Sequence, residues 1–528
     1  MDDTYDYIIV GSGAGGSPLA YRLTEDPAVK VLLLEAGGAD LPEAVEVPYR
    51  WNELLLTDLD YAYTSVPQPG LNGRQVYCAA GKCLGGTSNL YHMMHVRARP
   101  GDLADWTYNG CSGWSYDDVL PYYQWLERQL DRTNPDAGRD GPMTVTNAED
   151  LGCPVSKTFL DACGELGYPV IRDFNDLRTD AGAAWHHVDL KDGKRGGVLA
   201  SYLRPAMSRP NLTISASSMA RRLILEGDRC VGVEYDQAGQ RKTARADREV
   251  VACCGAIETP KLLLLSGIGD PAQLRRFGIA TRVDLPGVGL NLHDHPLVIG
   301  PIGRMDRPGP DPKGNMTEVG LFWRSDPGQP VPDLEICLVH RAPFGEAFFT
   351  NVVRRMQTGQ PIAPVAQLVD PHLILALPGL IRPLSRGWVR LRSSDPSQPP
   401  EVNPNYGAEP YDIDRIAQMV EIARAIYATK AYKDAWGLVE VGPGPSVPNG
   451  PALREWVVNN IGSYYHFGGS CKMGVDSMAV VDPKLRVHGV RKLRIADGSV
   501  MPTIPAANPH TTIVMIAERA AEFLKAGS

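Results

Sequence analysis

The stretch Tyr5–Gly16, YDYIIVGSGAGG, decides the fold of this 528-residue chain. It begins as a buried β-strand and passes at once into a glycine-rich turn. The residues that follow, SPLAYRLTED, carry apolar side chains at helical spacing, and Lys30–Gly38, KVLLLEAGG, is a second buried strand. A strand, a glycine turn, a helix and a strand within about thirty residues predict a dinucleotide-binding unit.

The glycines of this turn have separate roles. Gly11 allows the tight turn, Gly13 lets the backbone approach a pyrophosphate, and Gly16 lets the helix pack close to the strand. The pyrophosphate is expected at the positive end of that helix. Glu35 ends the second strand, where its carboxylate accepts hydrogen bonds from an adenosine ribose and disfavours the 2′-phosphate of NADP. No second fingerprint follows another strand, so we expect one ADP moiety.

The composition excludes several classes of function. The formal net charge of −8 and the lack of a basic stripe argue against a nucleic-acid partner. The longest apolar runs are interrupted by Gly or Pro, so we expect no membrane span. The chain begins with acidic residues that lead directly into a strand, without the pattern of a secretory signal, and its ten cysteines include no CxxC pair. These features predict a cytoplasmic protein without a disulfide framework.

The chain length predicts two domains. A second glycine cluster at Gly81–Asn89, GKCLGGTSN, is another source of backbone N–H groups, and Val250–Gly269 again has the pattern of strand, turn and helix. Between Asp306 and Trp456 the pattern changes to many prolines, short alternating runs and one amphipathic helix. This change predicts an antiparallel sheet with helices, inserted between parts of the nucleotide domain.

Six motifs occur along the chain in order: GKCLGGTSN, GWSYDDVLPYY, GAIETPKLLLLSGIG, GVGLNLHDHP, SRGWVRLRSSDPSQPPEVNPNY and LRIADGSVMPTIPAANPHTTIVMIAERAAEFL. Together they resemble the glucose–methanol–choline (GMC) oxidoreductases, flavoproteins that oxidise alcohols with FAD, over nearly the whole chain. The resemblance implies an α/β fold, with a Rossmann-like FAD-binding domain and an α+β substrate domain on an antiparallel sheet. It implies FAD-binding parts at 1–158, 205–305 and 459–528, and substrate-domain parts at 159–204 and 306–458.

The resemblance also implies where FAD binds. The implied FAD-binding residues are Gly11, Ser12, Gly13, Ala14, Gly16, Glu35, Ala36, Gly85, Gly86, Ser88, Asn89, Met219, Asp497, Gly498, Pro509, His510 and Thr511. Asp497 would contact the ribityl or pyrophosphate region. The last helix, capped by Thr511 or Thr512, would direct its positive end at the flavin N1–C2=O edge.

The catalytic residues implied by the resemblance are His466 and Asn508. His466 lies in Tyr464–Gly474, YYHFGGSCKMG, at the position of the family's active-site base, and Asn508 occupies the partner position. A neutral imidazole near its normal pKa suits removal of the alcohol proton while hydride leaves the carbon atom. The Asn508 amide would donate a hydrogen bond to the developing alkoxide.

Three features leave alternatives open. Some members attach FAD through a histidine, but the corresponding position here is Leu90, so we expect noncovalent FAD, with nearby His92 as the alternative attachment point. His510 either hydrogen-bonds the flavin or helps to cap the last helix. The run His293–His295 has residue types found in zinc sites, but the resemblance assigns it to a turn near the nucleotide, so we expect no metal.

Glu318, in NMTEVGLFW, also has two interpretations. It is either a structural ion-pair partner or the anion for a cationic alcohol such as choline, with Tyr464, Tyr465 and Trp323 as aromatic faces. We expect the structural role, because the spacing identifies no complete aromatic cage.

The main prediction is an FAD-dependent alcohol oxidase or dehydrogenase that converts a small primary alcohol to an aldehyde. Electrons would pass to O2 or to a quinone-like acceptor. The alternatives are a choline-type or sugar alcohol dehydrogenase, a non-redox lyase that keeps FAD, a flavin photoenzyme, and a non-catalytic FAD-binding protein. The presence of both His466 and Asn508 weighs against the last two.

Overall fold

The computed structural model describes residues 3–131, 134–179, 181–342 and 370–527. The predicted substrate-domain part at 306–458 therefore includes a stretch, 343–369, that lies outside the described residues.

The first large sheet has seven strands, five of them parallel. The parallel strands are, in order across the sheet, Leu212–Ser215, Val31–Leu34, Asp3–Val10, Gln240–Ala252 and Leu493–Ile495. Ser218–Glu226 and Arg229–Gln237 extend it as an antiparallel meander. Ile8, Ile9 and Val31 are fully buried, which agrees with strands covered on both faces and with their continuous apolar sequence.

The carboxyl ends of three parallel strands meet at one edge of this sheet. Val10 pairs with Ala252, and Ala252 pairs with Ile495. The turns that follow these residues are joined by backbone bonds, because the Cys253 N–H donates to the Val10 carbonyl and the Ala496 N–H donates to the Ala252 carbonyl. The glycine turn, the start of helix Gly255–Leu265 and the segment around Asp497 thus lie side by side.

The second large sheet has eight strands, and all of its pairings are antiparallel. Its strands are Gly182–Trp185, Pro296–Leu297, Ile302–Arg304, Val319–Trp323, Leu334–Val339, Leu373–Leu380, Val439–Gly442 and Gly462–Ser463. Helix Pro410–Tyr427, predicted from its amphipathic pattern, packs on this sheet through one hydrophobic cluster. The fold class predicted from the sequence is thereby confirmed, whereas the domain boundaries stay a prediction.

Smaller sheets accompany the two large ones in the described residues. Their strands are Glu127–Gln129, Met143–Asn147, His187–Lys191 and Lys194–Arg195; Leu290–Leu292, Gly387–Arg390 and Glu401–Asn403; Tyr63–Thr64 and Tyr77–Cys78; and Ile268–Gly269 and Val283–Asp284.

The α-helices of the described residues are Gly16–Leu23, Pro100–Tyr108, Tyr116–Leu126, Pro154–Glu165, Arg204–Ala206, Gly255–Leu265, Pro271–Arg276, Pro410–Tyr427, Lys430–Trp436, Pro451–Asn460 and His510–Lys525. Across the described ranges, no helix combines the length and the apolar character needed to cross a membrane. All ten cysteines are free thiols.

The predicted cap of the last helix is wrong. The helix begins at His510 with Pro509 as its N-cap residue, and no side chain caps it. Thr511 and Thr512 lie inside the first turn, where the Thr512 hydroxyl is 2.9 Å from the Tyr123 hydroxyl. The proline at position 509, whose φ is −76°, leads directly into the helix, so the helix starts two residues earlier than a cap at Thr511 requires and three earlier than a cap at Thr512 requires.

Gly16 and Gly13 provide a matched test of the glycine turn. A Cβ atom at Gly16 would lie 1.8 Å from the Gly11 carbonyl oxygen, whereas at Gly13 its nearest neighbour would be the Gly86 Cα atom, 4.0 Å away. Gly16→Ala should lower the free energy of unfolding by ~3 kcal/mol, because backbone must move to admit the methyl group. Gly13→Ala should change it by less than about 1 kcal/mol. Equal losses of stability in denaturant unfolding would contradict this account of the turn.

Candidate active site

A cavity of about 800 Å³ lies where the carboxyl ends of the parallel strands face the second sheet. The predicted site residues that line it are Gly11, Ser12, Gly13, Ala14, Glu35, Ala36, Gly86, Ser88, Met219, His466, Asp497, Gly498, Asn508, Pro509 and His510. The sequence thus identified residues from seven separate segments that the fold brings to one cavity.

Four predicted residues do not line the cavity: Gly16, Gly85, Asn89 and Thr511. Gly16 packs against the turn from behind, and the Asn89 amide donates a 2.6 Å hydrogen bond to the Leu84 carbonyl within the second glycine cluster. They shape the wall of the cavity from outside.

Glu35 joins the two glycine clusters. Its Oε2 atom accepts hydrogen bonds from the Ser12 backbone N–H at 3.0 Å and the Ser12 hydroxyl at 2.6 Å, and Oε1 accepts from the Gly37 N–H at 2.8 Å. The Ser12 hydroxyl in turn accepts a bond from the Gly85 N–H at 3.1 Å. Burial raises the pKa of Glu35, and these hydrogen bonds oppose the shift. The carboxylate is therefore fixed in position at the cavity wall.

Asp497 has a similar role on the other side of the turn. It accepts hydrogen bonds from the Gly255 N–H at 2.8 Å, the Thr259 hydroxyl at 2.6 Å and the Ser499 N–H at 2.8 Å. Burial raises the pKa of Asp497, while these donors lower it. The side chain ties the start of helix Gly255–Leu265 to the last strand.

His466 is held by the loop that contains Asp294. The His466 backbone N–H donates to Asp294 Oδ1 at 2.6 Å, and the Ser463 hydroxyl donates to Oδ2 of the same carboxylate. Tyr464 stacks on the imidazole with ring centroids 5.3 Å apart. Burial, followed by the proximity of His295 and His92, holds the pKa of His466 well below its usual range. The imidazole is therefore neutral near pH 7.

Asn508 presents an amide without a partner. Within the described ranges neither its Nδ2 nor its Oδ1 atom makes a hydrogen bond of standard geometry, although the side chain is buried and lies close enough to Glu335 to affect that carboxyl. It immediately precedes Pro509 and the last helix, so the positive end of that helix faces the same region. Glu335 lies nearby: burial raises its pKa to about 7, and the shift is opposed first by the Cys337 thiol, then by Arg99 and last by the Asn508 amide. Sequence reasoning missed Glu335. The alternating pattern of its strand does not show that this side chain lies close to Asn508.

His510 is attached to a buried chain of charged groups. Its Nδ1 atom lies 3.4 Å from Asp189 Oδ2, and its ring packs on Tyr91, whose hydroxyl donates to the same carboxylate at 2.6 Å. Asp189 Oδ1 lies 2.7 Å from His95 Nδ1, and His95 Nε2 lies 3.0 Å from Glu127 Oε1.

Arg97 ends this chain, because its guanidinium donates to both oxygens of Glu127. The pKa of His95 is raised to about 9: burial opposes its charged form, but Asp189 and Glu127 outweigh burial. The groups therefore alternate in charge through the interior. No local sequence pattern indicates this series of charged groups, because its members come from distant segments.

His92 also lines the cavity. Its Nδ1 atom lies 2.9 Å from the Thr317 hydroxyl, and its ring lies 4.2 Å from the Trp51 ring. Burial, with a smaller effect of Arg195, lowers the pKa of His92 to about 3. Leu90, at the position where some relatives carry an attached histidine, lines the cavity as well.

The run His293–His295 lies in an extended segment that pairs with the His466 loop, and its polar atoms are largely engaged. The Ile504 N–H donates to His293 Nε2 at 2.8 Å, and His293 Nδ1 lies 2.6 Å from the Asn291 carbonyl oxygen. Asp294 holds the His466 loop, and His295 contacts His466 itself. The run is therefore part of the pairing that holds the His466 loop, whereas the expected turn is not formed at these residues.

Glu318 does not line the cavity. Its Oε2 atom accepts hydrogen bonds from the Cys153 N–H at 2.9 Å and the Ser156 hydroxyl at 2.6 Å, at the start of helix Pro154–Glu165. Together with Cys153 and His340 it forms, among the described residues, a group whose ligand atoms lie within 4.8 Å of one another. The hydrogen bonds hold Glu318 at the start of this helix, and its expected structural role stays a prediction.

Comparison with known proteins agrees with this geometry. Models of the GMC oxidoreductase family match residues 5–297 and 383–517. The chain belongs to this family. The resemblance drawn from the sequence motifs is thus confirmed.

This GMC oxidoreductase is similar to several characterised relatives. It is 35% identical to the mitochondrial choline dehydrogenase of Mus musculus, over 99% of this chain and 90% of that protein. It is 34% identical to the oxygen-dependent choline dehydrogenase of Sinorhizobium medicae, over 98% and 95% of the two chains. The structure of pyridoxine 4-oxidase from Mesorbium loti superposes with a TM-score of 0.88 at 29% identity, over 98% of both chains.

GMC oxidoreductases bind FAD, and this chain is an FAD-dependent oxidoreductase acting on CH–OH donors. The residues present fit that cofactor. Glu35 lies at the end of the second strand, the backbone turn at Gly13 is open to the cavity, and unpartnered polar atoms of Asn508 and Thr511 lie at the start of the last helix.

His95 predicts how stability depends on pH. Because the pKa of His95 is raised from 6.5 to about 9 on folding, its contribution to stability is fully present below pH 6.5 and is lost as the pH rises through 9. At about 1.4 kcal/mol per pKa unit, the loss is ~3 kcal/mol at most. Asp189→Asn should flatten this dependence, because it removes the main anion beside His95.

The measurement is denaturant unfolding of both proteins between pH 6 and 10, with FAD present at the same concentration. The difference between the two curves isolates the His95 contribution from that of other titrating groups. Parallel curves for the wild type and Asp189→Asn would contradict the proposed charge pairing.

Proposed function

We propose that this enzyme oxidises an uncharged primary alcohol to an aldehyde, with His466 as general base and Asn508 as hydrogen-bond partner of the alkoxide oxygen. One observation carries the proposal: a neutral imidazole and an unpartnered amide line the same cavity as the glycine turn. These are the groups needed to accept a proton and to stabilise the oxygen that loses it.

The proposed FAD contacts follow the length of the cavity. Glu35 binds the adenosine ribose, the backbone at Gly11–Ala14 binds the pyrophosphate, and the start of helix His510–Lys525 faces the flavin ring. When bound, FAD accepts the hydride that leaves the alcohol carbon. We propose noncovalent binding, because Leu90 has no nucleophile and His92 is engaged with Thr317.

His466 takes the hydroxyl proton of the alcohol in this proposal. Burial keeps the imidazole unprotonated before the substrate arrives, so its free nitrogen is available at neutral and mildly acidic pH. Once protonated, it places a positive charge beside the reacting oxygen, and the Asn508 amide donates to the same oxygen. The same positive charge would favour electron transfer from the reduced flavin to O2. Oxidation of the alcohol needs His466 and Asn508 whether the acceptor is O2 or a quinone-like molecule, so these residues do not distinguish the two. Comparing turnover in air with turnover on a soluble quinone without O2 distinguishes these acceptors.

The described carboxylates around the cavity offer no free partner to a cationic substrate. Among the described residues, the carboxylates that line it are Glu35, Glu258 and Asp497. Glu35 and Asp497 are held by backbone N–H groups, and Glu258 pairs with Lys261 at 3.0 Å. Glu318, the candidate anion for choline, is directed at the start of a helix instead.

The wall near His466 is apolar and aromatic. It includes Tyr464, Tyr465, Leu297, Ile299 and Leu377. A trimethylammonium group placed against these side chains would lose its hydration without gaining a carboxylate partner. An uncharged alkyl or aryl group gains from the same burial.

The substrate charge can be tested with choline and its uncharged isostere 3,3-dimethylbutan-1-ol. We expect kcat/KM for the isostere to exceed that for choline by at least about 100-fold, which corresponds to roughly 3 kcal/mol of charge desolvation. Benzyl alcohol and hexan-1-ol extend the series to aryl and linear alkyl groups. Preferential oxidation of choline would contradict the uncharged-substrate proposal while leaving alcohol oxidation intact.

The role of His466 can be tested with His466→Gln. We expect kcat to fall by about 10²- to 10⁴-fold, because general-base catalysis is lost. The FAD content of His466→Gln should equal that of the wild type. In the wild type, kcat/KM should stay constant as the pH is lowered to below 6.5, because the pKa of His466 is well below its usual range. The matched control is His488→Gln, since His488 lies outside the cavity lining and contacts the Gly474 carbonyl. Similar activity in both variants would exclude His466 as the base.

A further inference from the structure

A second imidazole contacts the proposed base directly. His295 Nδ1 lies 2.9 Å from His466 Nδ1, and the two rings are nearly perpendicular, at 88° with centroids 5.1 Å apart. His295 is fully buried, and burial, with a smaller effect of His293, lowers its pKa to about 3. Two neutral rings at this distance share one proton, so one Nδ1 atom donates and the other accepts.

The backbone fixes both rings in this arrangement. The segment 293–297 runs antiparallel to 462–468, with the Tyr464 N–H donating to the His295 carbonyl at 3.0 Å. On the other side of the pair, the His293 N–H donates to the Gly468 carbonyl at 3.1 Å, and the Gly468 N–H donates back at 2.9 Å. Asp294 adds the bond to the His466 N–H. The contact between the rings is therefore built into the paired segments.

The surroundings of His295 indicate which ring donates. The backbone carbonyls of Ile381 and Pro505 approach His295 and favour its charged form, which is the effect of acceptors on a ring N–H. Among the described residues His295 Nε2 makes no hydrogen bond of standard geometry, but these carbonyl dipoles favour a proton on Nε2 over a lone pair, which makes His295 Nδ1 the acceptor. His466 must then donate from Nδ1, which leaves the lone pair on His466 Nε2 for the substrate.

The groups that face this pair are neutral or already engaged. His92 and His295 both lower the pKa of His466, and His293 lowers that of His295. Asp294 meets His466 through the backbone N–H, and Tyr464 stacks on its ring. No carboxylate among the described residues makes a hydrogen bond with either imidazole ring of the pair. The base is thus oriented by a neutral partner, unlike the familiar pairing of a catalytic histidine with an aspartate.

We propose that His295 is a positioning residue for the reaction, which accepts the Nδ1 proton of His466 in a hydrogen bond and so reserves His466 Nε2 for the alcohol. This inference rests on the proposed function of His466. It also explains how the base stays unprotonated in mildly acidic solution, because a neutral partner does not raise its pKa as a carboxylate would.

Two substitutions separate positioning from packing. His295→Gln keeps a hydrogen-bond acceptor, whereas His295→Leu has similar bulk and no acceptor. The measurement is the rate of flavin reduction after anaerobic mixing with the best uncharged alcohol, together with FAD content and melting temperature. We expect His295→Leu to lose about 100-fold in the limiting rate with little change in the substrate concentration for half-saturation. His295→Gln should stay within about tenfold of the wild type.

A third variant tests the pH dependence of activity, which a change in packing alone would not shift. In His295→Asp the carboxylate should raise the pKa of His466. The pH at which activity is lost on acidification should therefore be higher than in the wild type by roughly one to three units. Equal losses in His295→Gln and His295→Leu, or full activity in both, would overturn the proposal.

The failure of the proposed function has a different signature. If His466→Gln reduced the flavin as fast as the wild type, His466 would not be the base. The variants of His295 would then report on packing only.

Discussion

The parallel pairing of three strands from distant parts of the chain is the constraint on which the site depends. Val10, Ala252 and Ile495 lie side by side, and backbone hydrogen bonds continue the pairing into the turns that follow. The carboxyl ends of parallel strands are where open α/β sheets bind ligands. The glycine turn, the start of a helix and Asp497 therefore meet at the cavity because of backbone geometry. The second sheet then brings the opposite wall, with the His466 loop paired to the segment 293–297.

The interior around this cavity uses two different electrostatic arrangements. The chain from Arg97 through Glu127 and His95 to Asp189 buries charges of alternating sign, and it supports His510 at the start of the last helix. The pair of His466 and His295 is neutral, since burial lowers both pKa values. A base in a low-dielectric site must be uncharged before it reacts, and any charge that then forms interacts strongly with nearby dipoles. The charged chain supplies rigidity, and the neutral pair supplies a proton acceptor.

The sequence predicted the fold and much of the cavity because those signals are local. The βαβ unit is recognised from its hydrophobic periodicity and the spacing of its glycines, and Glu35 from its position at the end of the second strand. The antiparallel region is recognised from its short alternating runs. The roles of His466 and Asn508 came from motif resemblance and stay predictions. Asp189, Glu335 and the partner role of His295 were missed, because each depends on contacts between segments that no local pattern connects. The threonine cap was wrong because Pro509 already starts the helix.

The central claim is that His466 removes the alcohol proton while FAD is bound in the same cavity. The most direct measurement mixes the purified flavoprotein with an uncharged alcohol under anaerobic conditions and follows the long-wavelength flavin absorbance. The account predicts that the band bleaches in the wild type and bleaches at least about 100-fold more slowly in His466→Ala, with equal FAD content. Absence of bleaching across aryl, alkyl and sugar alcohols, or equal rates in the two proteins, would contradict it.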